Sequence, residues 1–330
     1  MKEVFKALVV DKQDDQFSIG MKDISLEALS ESGILIKVHY SGINYKDGLA
    51  AAPDGRIVKN YPFVPGIDLV GTVVSSEDPR FQEGDEVIAT SYEIGVSHFG
   101  GYSEYARIPG DWILPLPKSL TLKEAIVLGT AGFTAALSIQ RLEENGVSPD
   151  KGKILVTGAT GGVGSLAVSM LAAKGYDVTA STGKSSEHDY LYELGAKEVI
   201  SREDVYNGDI KPLAKQKWAG AIDPVGGHSL AAILSQIHYG GSVAVSGLTG
   251  GGSVPTSVFP FILRGVNLLG IDSVYCPMDI RKKVWGRMAA DLKTDKLLDF
   301  IQQEISMEQL PEYLPTILQG KVRGRIIVHI

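Results

Sequence analysis

The chain of 330 residues contains one cysteine, Cys276. A single thiol excludes an internal disulfide and any thiolate cluster for a metal. Basic residues form no block. The 32 Lys and Arg are interspersed with 39 Asp and Glu, for a net charge of −7, so nucleic acid is not an expected partner. No uninterrupted apolar run reaches membrane-spanning length. The N-terminal apolar stretch Ala7 to Val10 stops at Asp11, too short for a signal peptide. Low-complexity segments and internal repeats are also missing. These absences lead to the expectation of a cytoplasmic protein with no membrane partner. With 44% hydrophobic residues, the chain is long and apolar enough for two cores.

The most informative stretch runs from Lys153 to Gly164, KILVTGATGGVG. Ile154 to Val156 is a short apolar run of the kind found in buried parallel strands. A glycine-rich turn follows, and Ser165 to Lys174 reads as a helix with small residues on one face. Strand, glycine turn and helix start form the frame of a dinucleotide-binding unit. In that frame helix N–H groups favour a pyrophosphate, Gly161 admits it and Gly164 lets helix and strand pack closely. Thr160, Gly161, Gly162, Val163 and Gly164 are the expected cofactor contacts of this turn. The first glycine of the G-x-G-x-x-G pattern is replaced by Ala159, so a tight turn without ligand remains open on the motif alone.

Residues 1 to about 120 are rich in strand-like runs, the clearest being Phe5 to Val10, Gly33 to Tyr40, Asp68 to Ser75, Glu86 to Thr90 and Ser103 to Ile108. Gly, Pro and Asp clusters separate them, which predicts an irregular β-rich domain. Helices are expected over Thr121 to Leu128, opened by a Thr121/Glu124 capping box, and over Thr130 to Glu144. Strands and helices then alternate. After the central strand come strands at Tyr176 to Ala180, Glu198 to Ile200, Trp218 to Asp223, Ser242 to Ser246 and Asn267 to Asp272, the signature of a doubly wound parallel sheet. A last strand, Val322 to Ile330 with Gly324 inside, should return to the β-rich domain. The expected division is therefore discontinuous, with residues 1–124 and 276–330 forming one domain and 125–275 inserted.

One more absence bears on the cofactor. NAD-specific units place an acid roughly 20 residues past the turn, on the ribose 2′-OH. Here the end of the second strand reads ASTGKSS, and no acid appears before Glu187. Thr182, Gly183 and Lys184 offer a hydroxyl, an N–H and a positive charge, and Arg202 is a second candidate cation. That composition suits a 2′-phosphate and favours NADP(H), although a lone loop lysine is commonly just solvated.

Several stretches then carry a resemblance. Asn44-Tyr45-Lys46-Asp47, Pro65 to Gly71, Gly84 to Val87, Gly129 to Ala135 and Ala159 to Gly164 fall in order along nearly the whole length. The chain resembles the medium-chain dehydrogenase/reductase superfamily, whose GroES-like β-rich domain carries an inserted Rossmann domain. Through Asn44 to Leu49, Phe261 to Val266 and Gly270 to Val274 it is similar to the zinc-free quinone-oxidoreductase branch, and within it to the acrylyl-CoA reductase group. Zinc-dependent members hold their metal with a Cys near the second strand, a His in Gly-His-Glu and a further Cys or Asp. The Cys position falls at about Asn44 and the His position at Ile67, so no metal is expected, because a catalytic zinc needs three protein ligands.

The resemblance implies a catalytic set of Tyr45, Asn44 and Asp47 where the lost ligand would be, at an interdomain cleft. Tyr45 is expected to contact the nicotinamide ribose or to polarise a carbonyl, and a plain packing tyrosine remains the alternative. Bracing of loops is the alternative for Asp47 and Asp68. Leu248, Ile262 and Ser273 are implied cofactor contacts at the nicotinamide end. The function implied is NADPH-dependent reduction of an activated C=C, in an acrylyl-CoA-type thioester or enone, by hydride transfer to the β-carbon. The alternatives are quinone reduction and, in another class, non-catalytic NADPH binding. The partner is a small-molecule acceptor (enone, quinone or acyl-CoA), and the family implies a homodimer joined through edge strands of the nucleotide domain.

Overall fold

A computed structural model describes residues 3–14, 16–30 and 32–330. In chain order the first elements are β1 (Val4–Gln13), β2 (Gln16–Ser25), β3 (Ile34–Gly42), α1 (Tyr45–Ala50), β4 (Asp68–Ser75), β5 (Glu86–Thr90), β6 (Tyr105–Ile108) and β7 (Ile113–Pro115). The long helix α2 (Leu122–Glu144) leads to β8 (Ile154–Val156), α3 (Gly162–Ala173), β9 (Val178–Ser181), α4 (His188–Glu193), β10 (Glu198–Ile200) and α5 (Arg202–Val205). Next come β11 (Trp218–Asp223), α6 (Gly227–Gln236), β12 (Ile237–Val245), α7 (Phe259–Arg264) and β13 (Asn267–Gly270). The chain ends with α8 (Met278–Met288), β14 (Ile301–Ser306), α9 (Leu310–Leu318) and β15 (Arg325–His329).

The chain forms two compact units. The first comprises Met1–Thr130, Val274–Lys283 and Lys296–Ile330, the second Ala131–Ser273 and Val284–Asp295. Residues 284–295 thus group with the second unit, whereas the sequence assigned them to the β-rich domain. Ion pairs explain their place: Arg287 binds Glu143 at 2.8 Å, and Lys174 binds Asp291 at 3.0 Å.

In the second unit six parallel strands run in the order β10-β9-β8-β11-β12-β13. Their buried faces hold Leu155, Ala221 and Val243, packed with Leu230, Ile233 and Leu234 of α6. Burial on both faces is what lets a purely parallel sheet persist. The first unit has a β1–β2 hairpin and a seven-stranded sheet, β14-β15-β3-β4-β5-β7 with β6 on β3. The last strand does return to this unit, antiparallel to β3. Gly324, expected inside that strand, lies just ahead of it at φ +56°.

One difference from the expected elements has a clear cause. Strand β2 carries no apolar run to announce it; its residues are half-buried or exposed, and it is held by full antiparallel pairing to β1. The two helices expected on either side of residue 129 are both present, and α2 is divided between them by the non-helical backbone of Gly129 (φ +46°, ψ −152°). By length and composition this helix could cross a membrane, but 78% of its apolar window is buried in the protein, as suits a core helix.

Candidate functional site

In the second unit the glycine turn is fixed by backbone crowding. Gly161 caps α3, and the Gly161 N–H donates to the Gly158 carbonyl at 2.9 Å. A Cβ on Gly164 would stand 2.3 Å from the Gly158 oxygen, so no side chain fits there. Gly158 itself takes φ +53°, which a glycine adopts without strain. Thr160 and Gly164 are buried, while Gly161, Gly162 and Val163 are partly open. The first N–H groups of a 12-residue helix are thereby presented at the carboxyl end of β8, the arrangement that receives a pyrophosphate.

Beside this turn, Asp223 at the end of β11 is fully buried. It accepts from the Thr157 hydroxyl and, at 2.8 Å, from the Gly226 N–H. Burial holds its carboxyl above the usual range. Asp223 thus ties the first turn to the 224–227 turn, where backbone meets backbone so closely that a Cβ on Gly247 would lie 2.0 Å from the Pro224 oxygen. On the next strand end, the buried Ser246 Oγ has no hydrogen-bond partner. An unsatisfied buried hydroxyl at the strand ends fits a ligand group placed there. The pattern of the sequence had pointed to neither Asp223 nor Ser246; an acid closing an apolar strand was the available signal for the first.

The end of β9 gathers the expected 2′-phosphate residues. Thr182 is buried, and its Oγ1 accepts from the Lys184 N–H at 3.1 Å. Arg202 lies over Gly183, where a Cβ would come within 2.5 Å of Nε. Burial, then the neighbouring Arg202, hold the half-buried Lys184 below its ordinary pKa, with Glu187 opposing. Two cations thus lie near one another at the end of β9, with Glu187 beside them. Leu248 and Ile262 are 66% and 68% exposed, and Ser273 is half-buried after β13.

The first unit holds a cluster of a different kind. Tyr45 is the first residue of α1 and is 42% exposed. Its helix is six residues long, too short to hold itself, and is secured from outside. A capping box links Asn44 and Asp47. Gly48 sits so tightly on α9 that a Cβ would meet Ile317 Cγ2 at 2.6 Å. Asp47, expected among the catalytic residues, is instead fully buried: Oδ2 accepts from the Asn44 N–H at 2.8 Å and Oδ1 from the Ile67 N–H at 2.9 Å. It braces the turn. Burial first, and the charge of Asp68 second, push its carboxyl up to about 7.

Asn44, also expected as catalytic, is engaged on both sides of its amide. Nδ2 donates to Asp68 Oδ2 at 2.8 Å, and Oδ1 accepts from Arg325 Nη1 at 3.0 Å. Asp68, fully buried, further accepts from the Thr130 hydroxyl and N–H. Arg325, 3% exposed, donates Nε to the Val127 carbonyl at 3.0 Å and lies 3.8 Å from Asp68 through Nη2. Thr130 and Arg325 escaped sequence reasoning; the lone signal was a cation opening the apolar run Ile326 to Val328.

This donor set does not fit a catalytic zinc. Asn44 and Ile67 stand where a thiolate and an imidazole are needed, and an alkyl side chain cannot ligate. Among the described residues no group of three or more His, Cys, Asp or Glu could hold a metal ion.

A glycine turn between β8 and α3, a parallel six-stranded sheet and a separate β-rich unit define a nucleotide-dependent oxidoreductase. Comparisons with known proteins sharpen this. Residues 30–118 match the alcohol dehydrogenase GroES-like domain, and residues 162–290 match a family described as zinc-binding dehydrogenase, a description whose metal these residues do not accommodate. A Bacillus subtilis (strain 168) protein named "Putative quinone oxidoreductase YhfP" is 65% identical over 328 residues, 99% of each chain. Its crystal structure with NAD bound superposes with a TM-score of 0.98 over 100% of both chains. Acrylyl-CoA reductase AcuI of Ruegeria pomeroyi is 46% identical over 99% of each chain. The yhdH oxidoreductase of Salmonella enterica, crystallised with NADP, has a TM-score of 0.95 and 43% identity, covering 98% of this chain and 99% of that one. The chain belongs to the medium-chain dehydrogenase/reductase superfamily, in its quinone-oxidoreductase branch.

Proposed function

We propose that this oxidoreductase uses NADPH to reduce an activated C=C bond, in an acrylyl-CoA-type thioester or a simple enone. The observation that carries the cofactor half is the joining of Thr182, Lys184 and Arg202 at the end of β9, with no acid for a ribose 2′-OH. The α3 N-terminus holds the pyrophosphate, and Asp223 keeps the two flanking turns in register. NADPH supplies the hydride, which arrives at the β-carbon of the acceptor. The chain's part is to hold the acceptor's carbonyl oxygen as charge develops on it. Tyr45 is the donor for that oxygen, because it is an exposed hydroxyl on a helix anchored by buried braces. A proton then joins the α-carbon, so that one hydride and one proton saturate the bond.

The acrylyl-CoA reading draws support from the Ruegeria relative, and quinone reduction from the name of the Bacillus relative. Both need a two-electron donor and neither needs a metal. NADPH oxidation assayed against acryloyl-CoA, a small enone and a benzoquinone separates them. Turnover of the thioester with a saturated product supports the proposal. Turnover of the quinone alone supports the second reading, and NADPH binding without turnover of any acceptor points to a non-catalytic protein.

A homodimer is part of the proposal. Strand β13 forms an edge of the six-stranded sheet, with Leu268 40% and Leu263 of α7 55% exposed. An uncovered apolar edge of this kind invites pairing with a second copy. A monomeric mass by light scattering would contradict it.

A further inference from the structure

We infer that Arg325 is a positioning residue for Tyr45, acting through the side chain of Asn44; the inference rests on the reading of Tyr45 as donor to the acceptor. Tyr45 follows Asn44 directly, and Asn44 is the N-cap of a helix too short to fix its own orientation. Where the cap points therefore decides where Tyr45 points. The Asn44 amide has one orientation that satisfies both neighbours, with Oδ1 receiving Arg325 Nη1 at 3.0 Å and Nδ2 donating to Asp68 Oδ2 at 2.8 Å. Rotation by half a turn would set a donor against the guanidinium and an acceptor against the carboxylate. The chain between them is short: β15, Arg325, Asn44, then Tyr45.

Arg325 is itself immobilised. Nε is held by the Val127 carbonyl at 3.0 Å, and Nη1 also reaches the Ile43 carbonyl at 3.3 Å. Nη2 has no hydrogen-bond partner and lies 3.8 Å from Asp68. No slack exists around the group. A Cβ on Gly42 would stand 3.0 Å from Nη2, and one on Gly129 would stand 2.6 Å from Asp68 Oδ2. Three carbonyl or amide oxygens in different directions suit a planar fork of donors, and a lysine ammonium cannot serve them together. Burial disfavours the charged guanidinium, and the nearby carboxylates Asp68 and Asp47 offset part of that cost. The same group thus neutralises the cluster and aims its outlet.

The test is a double-mutant cycle on the whole enzyme with NADPH and the acceptor it turns over. Arg325→Lys is expected to lower kcat roughly 10- to 100-fold, since a misplacement of about 1 Å costs on that order, with NADPH affinity unchanged. In a Tyr45→Phe background the same substitution should add little further loss. Asn44→Ala, which leaves the Val127 and Ile43 bonds to the guanidinium intact, should lower kcat similarly, and it carries the test if the lysine variant does not fold. Amide exchange provides a readout independent of the chemistry. The Asp47 and Gly48 N–H groups donate to the Asn44 carbonyl, and their exchange should quicken in Arg325→Lys while α3 stays protected. Equal losses from Arg325→Lys with and without the Tyr45 hydroxyl would overturn the inference. If Tyr45→Phe alone leaves kcat intact, the donor reading fails, and the positioning claim is decided by exchange: faster at Asp47 and Gly48 supports it, unchanged overturns it.

Discussion

The nucleotide turn of the second unit is built almost wholly of backbone, whereas the Tyr45 region of the first unit is built of buried side chains. Around Gly158 to Gly164 the shape comes from the absence of Cβ atoms, with a single buried acid, Asp223, joining two turns. Around Tyr45 two buried carboxylates lie by one buried guanidinium, and beyond the local Asn44/Asp47 cap the hydrogen bonds reach residues far along the chain, such as Asn44 to Arg325 or Thr130 to Asp68. A backbone site tolerates changes in side chains that merely surround it. A side-chain site transmits the loss of one member to the rest, because each removal leaves a buried polar partner unsatisfied.

The comparison breaks most plainly at Tyr45. Tyr45→Phe is expected to lower kcat ~100- to 1,000-fold, the usual cost of removing one donor to a developing oxyanion, with NADPH affinity nearly unchanged. If the tyrosine only packs on the ribose, titration calorimetry will show weaker NADPH binding and kcat will hardly move. Lys184→Ala comes next. Loss of a charge-assisted hydrogen bond, ~1.5–3 kcal/mol, should weaken NADPH roughly 10- to 100-fold and leave NADH almost untouched. Equal losses for both cofactors would show that Lys184 does not read the phosphate. Gly164→Ala should act on both cofactors alike. Its Cβ would crowd the Gly158 carbonyl, and overpacking of this sort costs ~1–3 kcal/mol, read as parallel drops in NADPH and NADH binding.

The effect at Asp47 is of another kind, one of slope. Its carboxyl titrates near 3.8 when unfolded and about 7 when folded. Between those values the folded chain keeps a proton that the unfolded chain has lost, so this group makes stability fall as pH rises from about 4 to about 7, and adds no slope outside that window. Asp47→Asn should remove that component, seen as a flatter dependence of the urea midpoint on pH. The same slope in the variant would mean that another group titrates.

Sequence reasoning reached the two regions unequally for the same physical reason. The strand, turn and helix from Ile154 to Ala173 are contiguous, so local order is enough to locate the glycine turn, and the missing acid after β9 draws attention to Lys184. Asn44 and Tyr45 were found through resemblance alone. Arg325, which donates to the Asn44 amide, lies 281 residues from it, and Thr130, which donates to Asp68, lies 62 residues from that acid; neither carries a local pattern. For Asp47 the sequence leaves a catalytic role and a loop brace both open, because its burial and its bond to Ile67 depend on how the residue before β4 meets the start of α1. The alternation of apolar residues revealed the parallel sheet but not β2, whose face is half-exposed and whose stability comes from pairing with β1.

The proposed reaction is reduction of an activated alkene by hydride from NADPH. Turnover with NADPH carrying deuterium at the transferable position tests it most directly. The account predicts one deuterium at the β-carbon of the saturated product and a solvent-derived hydrogen at the α-carbon. Deuterium at the α-carbon, or none in the product, would contradict it.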